Sequence, residues 1–117
     1  MNLLLISDEM DVSDVQLEMM FRDFIYPIID EIKEIAIVNP NRVELYAIKI
    51  AKKLNIPYLG FLADSEAAVI FADKVLYIRK EDVEKSSTVQ LCEFYGMPVS
   101  TFLIPPDTRG HRHAQSV

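Results

Sequence analysis

A small three-layer α/β sandwich, with five parallel strands between two layers of helices, is the architecture this sequence predicts. Three observations lead there. Short apolar runs without polar alternation, such as "NLLLIS" at 2–7 and "EIAIV" at 34–38, have strand length and the character of strands covered on both faces. The segments between such runs carry helical periodicity. Strands separated by helices need crossover connections, which favour parallel pairing.

After the first strand, residues 13–32 place Leu17, Phe21, Phe24 and Ile28 on one stripe that Met20, Ile25, Ile29 and Ile32 widen. Ser13 or Asp11 can cap this helix, and Pro27 should kink or split it near Asp23, because proline lacks a donor and its ring meets the preceding turn. The second helix, 42–54, is expected to turn Val43, Ala47, Ile50 and Leu54 inward and Glu44, Lys49, Lys52 and Lys53 outward, with Asn55 and Pro57 ending it. "YLGFL" at 58–62 is the third strand, and "SEAAVIFA" at 65–72 a helix capped by Asp64 or Ser65. "KVLYIR" at 74–79 is the fourth strand, followed by a helix over 83–95 that Gly96 closes. "PVSTFLI" at 98–104 is the fifth. Residues 1–104 thus form one Rossmann-like domain, and 105–117, nearly without apolar content, a flexible tail.

Composition narrows the function classes. A chain of 117 residues, 50% hydrophobic and 26% charged, supports one domain with a real core. Its 18 acidic against 12 basic residues give a net charge of −6, and the basic residues are scattered, which argues against nucleic acid as a partner. Cys92 is the single cysteine, so no internal disulfide forms. The start has no basic region ahead of its apolar run, and no stretch has the length of a membrane span; a cytoplasmic protein without membrane contact is expected.

In parallel α/β sheets, ligands sit beyond the carboxyl ends of the strands. The candidate ligand-binding residues are therefore Ser7 and Asp8 after the first strand, Asn39, Asn41 and Arg42 after the second, and Ser86, Ser87 and Thr88 at the start of the fourth helix. Helix N-termini offer free N–H groups and the positive end of a dipole, so an anion could be held there. Plain N-capping explains Asn41, Ser86, Ser87 and Thr88 as well. Asp8 and Glu9 resemble the acidic pair of phosphoreceiver domains, but the remaining receiver residues are missing. His111 and His113 on the tail make a poor metal site, so neither metal nor cofactor is expected. Cys92 sits at an apolar helix position, as a buried structural thiol does.

The run from Ile56 to Ile104, with Ala72-Asp73-Lys74-Val75 before a strand and Gly96-Met97-Pro98-Val99 before the last one, resembles the second half of the SLOG-type Rossmannoid nucleotide-binding superfamily. That superfamily includes cytokinin-activating phosphoribohydrolases and nucleotide-signal sensors. "AIKIAKKLNIPY" is similar to its second helix and the exit into strand three. The resemblance implies a nucleotide-type ligand and self-association. Where the family carries glycines after strands one and two, this chain has Ser7-Asp8-Glu9 and Asn39-Pro40-Asn41-Arg42, a degenerate phosphate loop whose Pro40 even removes a donor. With Thr88 in register with the family's Gly-Thr element, Gln90 and Leu91 fall where the catalytic glutamate would stand.

The expectation is a nucleotide-type ligand-binding domain without robust catalysis. Two alternatives stand beside it: a protein-interaction or inhibitor module on the same scaffold, and an N-glycosidase or deoxyribosyltransferase-like enzyme using Asp8 or Glu9. The apolar helix 13–32 carries more hydrophobic surface than one stripe needs, which suggests either a homo-oligomer or another protein partner, or a split at Pro27 into two pieces that bury the same residues within one subunit.

Overall fold

The computed structural model describes residues 1–62, 64–80 and 83–104. The chain runs β1 (Asn2–Ser7), α1 (Asp14–Phe24), a 3₁₀ segment (Tyr26–Glu31), β2 (Glu34–Ile37), α2 (Arg42–Lys53), β3 (Tyr58–Gly60), α3 (Ser65–Phe71), β4 (Lys74–Lys80), α4 (Ser87–Phe94) and β5 (Val99–Ile104). The five strands form one sheet in the order β3-β2-β1-β4-β5, and every pairing is parallel. This is the Rossmann-like doubly wound arrangement that the alternation of apolar runs and helical segments predicts. The flexible tail assigned to 105–117 lies outside the described residues.

Because side chains alternate along a strand, β1, β2 and β4 each feed two cores. Leu3, Leu5, Ile35, Ile37, Leu76 and Ile78 meet α1, the 3₁₀ segment and α2 on one face. Leu4, Ile6, Ala36, Val38, Val75 and Tyr77 meet α3 and α4 on the other. Burial from both sides is the reason these strands read as unbroken apolar runs rather than alternating ones.

The helix ends follow local chemistry. Ser13 caps α1 in a capping box: its hydroxyl accepts from the Gln16 backbone N–H at 3.1 Å, and the Ser13 N–H donates to the Gln16 side chain at 2.9 Å. The segment 13–32 is split near Asp23 as Pro27 predicts: α1 stops at Phe24, and Pro27 lies in the first turn of the 3₁₀ segment, where it needs no donor. Both α2 and α4 end in the six-to-one pattern that closes a helix through a left-handed residue. Ile56 N–H donates to Ala51 C=O after Asn55, at φ 59°, and Met97 N–H donates to Cys92 C=O after Gly96, at φ 74°.

Four boundaries or faces depart from expectation. Helix α4 starts at Ser87, not at residue 83, because Ser86 supplies the capping hydroxyl and the preceding Val83–Lys85 lie exposed. Strand β3 is only three residues long and exposed, since it forms one edge of the sheet. Leu54, expected inward, is half exposed at the C-cap of α2. Glu44, assigned to the solvent face of α2, is fully buried. Helical periodicity does put it near the inward stripe; what draws it in is a set of unpaired backbone donors described below.

The break at Pro27 buries much of the apolar surplus of 13–32, while Val15, Met19 and Phe24 stay exposed. Leu17, Met20, Phe21 and Ile25 are buried, and Ile28 and Ile29 pack against the same core from the redirected 3₁₀ segment. Within one subunit the two pieces turn different faces inward. Among the described residues no helix is long and apolar enough to cross a membrane.

Candidate functional site

The strand order reverses between β1 and β4, since β2 and β3 extend from one side of β1 while β4 and β5 extend from the other. In a doubly wound sheet this switch point opens a crevice at the carboxyl ends of the two central strands. The sequence-derived candidates fall into two groups around it. Asn39, Asn41 and Arg42 follow β2, whereas Asp8, Ser86, Ser87 and Thr88 lie on the β1–β4 side, with Ser7 shared between them.

The β2 group is closed by the protein itself. Asn41 caps α2, accepting from the Glu44 N–H at 2.9 Å, and so sets Glu44 in the first helical turn. From there the Glu44 carboxylate reaches back over the strand ends. One oxygen accepts from the Val38 and Asn39 N–H groups at 2.9 and 2.8 Å, and the other from the Ser7 N–H at 3.1 Å and the Asn41 side-chain amide at 3.3 Å. The same amide donates to the Ser7 carbonyl at 2.9 Å, tying β1 to the start of α2. Burial pushes the Glu44 carboxyl above its ordinary range, and the backbone donors of Asn39, Ser7 and Val38, with the Asn41 amide, pull in the opposite direction.

The consequence is chemical. N–H groups after the strands and at a helix start are the groups that a Rossmann-type loop turns toward a phosphate. Here three of them already hold an internal carboxylate. Arg42 is committed as well: its Nε donates to the Val12 carbonyl at 2.7 Å, and a terminal nitrogen meets the Asp14 carboxylate at 2.6 Å. Of this group, only the Asn39 side chain has no hydrogen bond among the described residues.

The β1–β4 side has a different construction. The Asp8 carboxylate accepts from the Tyr77 hydroxyl at 2.7 Å with one oxygen and from the Lys80 N–H at 2.8 Å with the other. Tyr77, from the middle of β4, is buried, and its oxygen accepts from the Ser86 N–H at 3.2 Å. Burial first, and then the Asp8 carboxylate, push the Tyr77 hydroxyl up to about 12, so it stays a donor at any physiological pH. A single phenol thereby fixes the loop after β1 against the start of α4.

At that start Ser86 caps the helix through the Thr88 N–H at 3.1 Å. Thr88 is buried, and its hydroxyl shares a 2.6 Å hydrogen bond with Ser65 of α3. Thr88 therefore locks α3 to α4 and does not face solvent, whereas Ser87 is exposed. Ser7 is buried, its hydroxyl donating to the Asp8 carbonyl at 2.7 Å. Among the described residues no group of three or more His, Cys, Asp or Glu side chains is placed to hold a metal. Cys92 is buried against α3 and the sheet, and desolvation pushes its thiol up, which keeps it protonated.

Sequence reasoning missed two residues here. Tyr77 was hidden inside an apolar strand run, and its place in the middle of β4 gives no sign that its hydroxyl reaches Asp8 and Ser86. Glu44 had a clearer signal: Asn41 followed three residues later by a glutamate is the spacing of a capping box, which brings an N3 carboxylate to the helix start.

Fold and edge together define a small doubly wound α/β domain with its polar residues gathered at the switch point. Comparisons with protein-family models, with curated proteins and with solved structures find no match.

Proposed function

We propose that this chain is a binding domain for a nucleotide-type small molecule, received at the β1–β4 side of the switch point and not by a loop after β2. The observation that carries this reading is the Asp8–Tyr77–Ser86 chain of hydrogen bonds, which holds the β1 loop against the N-terminus of α4. It keeps the exposed Ser87, the start of the α4 dipole and Lys80 at one rigid edge. Closure of the β2 loop around Glu44 supports the same division of labour, because the donors that would wrap a pyrophosphate there are taken. The domain binds without robust turnover: both oxygens of Asp8, the carboxylate that follows β1, are engaged by Tyr77 and Lys80.

The test is a thermal-shift screen of the full chain against nucleotides, nucleosides and signalling nucleotides. At least one ligand should raise the melting temperature. Ser87→Glu, which adds a negative charge at the α4 N-terminus, should remove that shift, while Arg42→Ala should retain it. A flat response across the panel, or a shift abolished by Arg42→Ala and untouched by Ser87→Glu, overturns the proposal.

A further inference from the structure

Strand β5 closes one side of the sheet, and among the described residues nothing pairs with its outer edge. It is six residues long, "VSTFLI", without a charge, a proline or a glycine. Half of the backbone donors and acceptors of such a strand point away from its one partner. Proteins that leave an edge free usually protect it with lysine, proline, a bulge or shortness, and β3, at the other edge, is indeed only three residues long. No such protection exists in β5. Both faces of the strand are only partly covered: Ser100, Thr101 and Leu103 are exposed, while Phe102 and Ile104 on one face and Val99 on the other are partly buried against the cores. On the α1 side, a shallow cavity of about 120 Å³ opens between Phe24, Ile28, Leu3, Leu76, Lys74 and Ser100, where a further layer could pack.

We propose that β5 pairs with β5 of a second copy, antiparallel across a two-fold axis, so that two five-stranded sheets become one. Charge sets where a second copy can meet this one. Each copy carries −6, so two copies approach most easily along a strip that bears no charge, and β5 is such a strip. Self-pairing also has a geometric requirement, which centring the axis on one residue of the strand meets. A two-fold axis normal to the sheet keeps each face continuous, so opposed residues must share parity. Centring on Phe102 sets Phe102 against its own copy and Ser100 against Ile104 on the α1 face, with Thr101 against Leu103 on the α4 face. The Phe24–Phe102 pair, 4.4 Å between ring centroids, then meets its counterpart across the axis as an aromatic cluster. This interface is independent of the switch-point edge and differs from the α1 surface, whose apolar residues are mostly consumed within the subunit.

Sedimentation or light scattering of the full chain over a micromolar concentration series tests it, together with hydrogen exchange read strand by strand. A dimer is expected, with β5 amides gaining protection as concentration rises. Thr101→Lys and Leu103→Lys, both at exposed positions, should weaken dimerisation by at least about tenfold by placing a charge in the strand pair. Unchanged melting of the dilute variants confirms that the fold is intact. Ile70→Lys, on the exposed side of α3, should leave the dimer as it is. A monomer throughout the series overturns the proposal. So does a dimer that survives both β5 variants and dissociates with Val15→Lys on α1.

Discussion

Replacing Glu44 by glutamine keeps shape and volume and changes one acceptor into a donor. The carboxylate has four donors around it, two on each oxygen: Val38 and Asn39 on one, Ser7 and the Asn41 amide on the other. Whichever way the glutamine amide turns, its NH₂ faces two of them. A buried donor left without an acceptor costs about 1–3 kcal/mol, so two cost about 2–6 kcal/mol, of which removal of a buried charge returns a part. The expected net loss at neutral pH is about 2–4 kcal/mol, or about 10–20 °C in melting temperature for a domain of this size. Urea denaturation should show it as a lower midpoint with unchanged slope.

The pH dependence carries a sign. Burial raises the folded-state pKa of Glu44 above its ordinary 4.5, so the folded protein holds this proton more tightly than the unfolded chain. The Glu44 contribution is complete below 4.5 and declines as pH rises through the folded pKa. The stability gap between wild type and Glu44→Gln should therefore narrow as pH rises above 4.5. A glutamine variant within about 0.5 kcal/mol of wild type at neutral pH would refute the account of the donors. A gap that widens with pH would refute the dominance of burial over those donors.

Two further outcomes follow from single contacts. Tyr77→Phe removes the bond to Asp8 and the acceptor for Ser86, and should cost about 1–2 kcal/mol in denaturant unfolding. Because the Tyr77 pKa rises from 10.0 to about 12 on folding, the tyrosine contribution is full below 10.0 and lost toward 12, so the Tyr–Phe gap should shrink across that alkaline window; a constant gap contradicts the shift. Leu62 is exposed and held at φ 44°, a left-handed conformation that costs a β-carbon residue free energy. Leu62→Gly should raise stability by about 0.5–1 kcal/mol in a thermal melt, and a lower melting temperature would show that the leucine side chain makes a compensating contact.

The local alphabet of this fold is written in the chain. Unbroken apolar runs marked β1, β2 and β4 because each is buried on both faces, and Ser13, Asn41, Asp64, Asn55 and Gly96 marked helix ends because capping needs only neighbours in sequence. Parallel pairing followed from the crossovers. Strand order did not, since it depends on which elements meet across distances the periodicity does not record. The candidate site divided in the same way. Its residues were found by their place after strands, but their chemical state was set by partners far along the chain: Glu44 by Ser7, Arg42 by Val12 and Asp14, Tyr77 by Asp8, and Thr88 by Ser65. A hydrogen-bonding side chain is available to a ligand only when the fold leaves it unpaired, and the pairing of Glu44, Arg42 and Thr88 is a property of the assembled sheet edge. The sequence determined that the loop after β2 has no glycine and that a glutamate stands three residues after the α2 cap; tertiary structure decided that its carboxylate takes the backbone donors of Ser7, Val38 and Asn39.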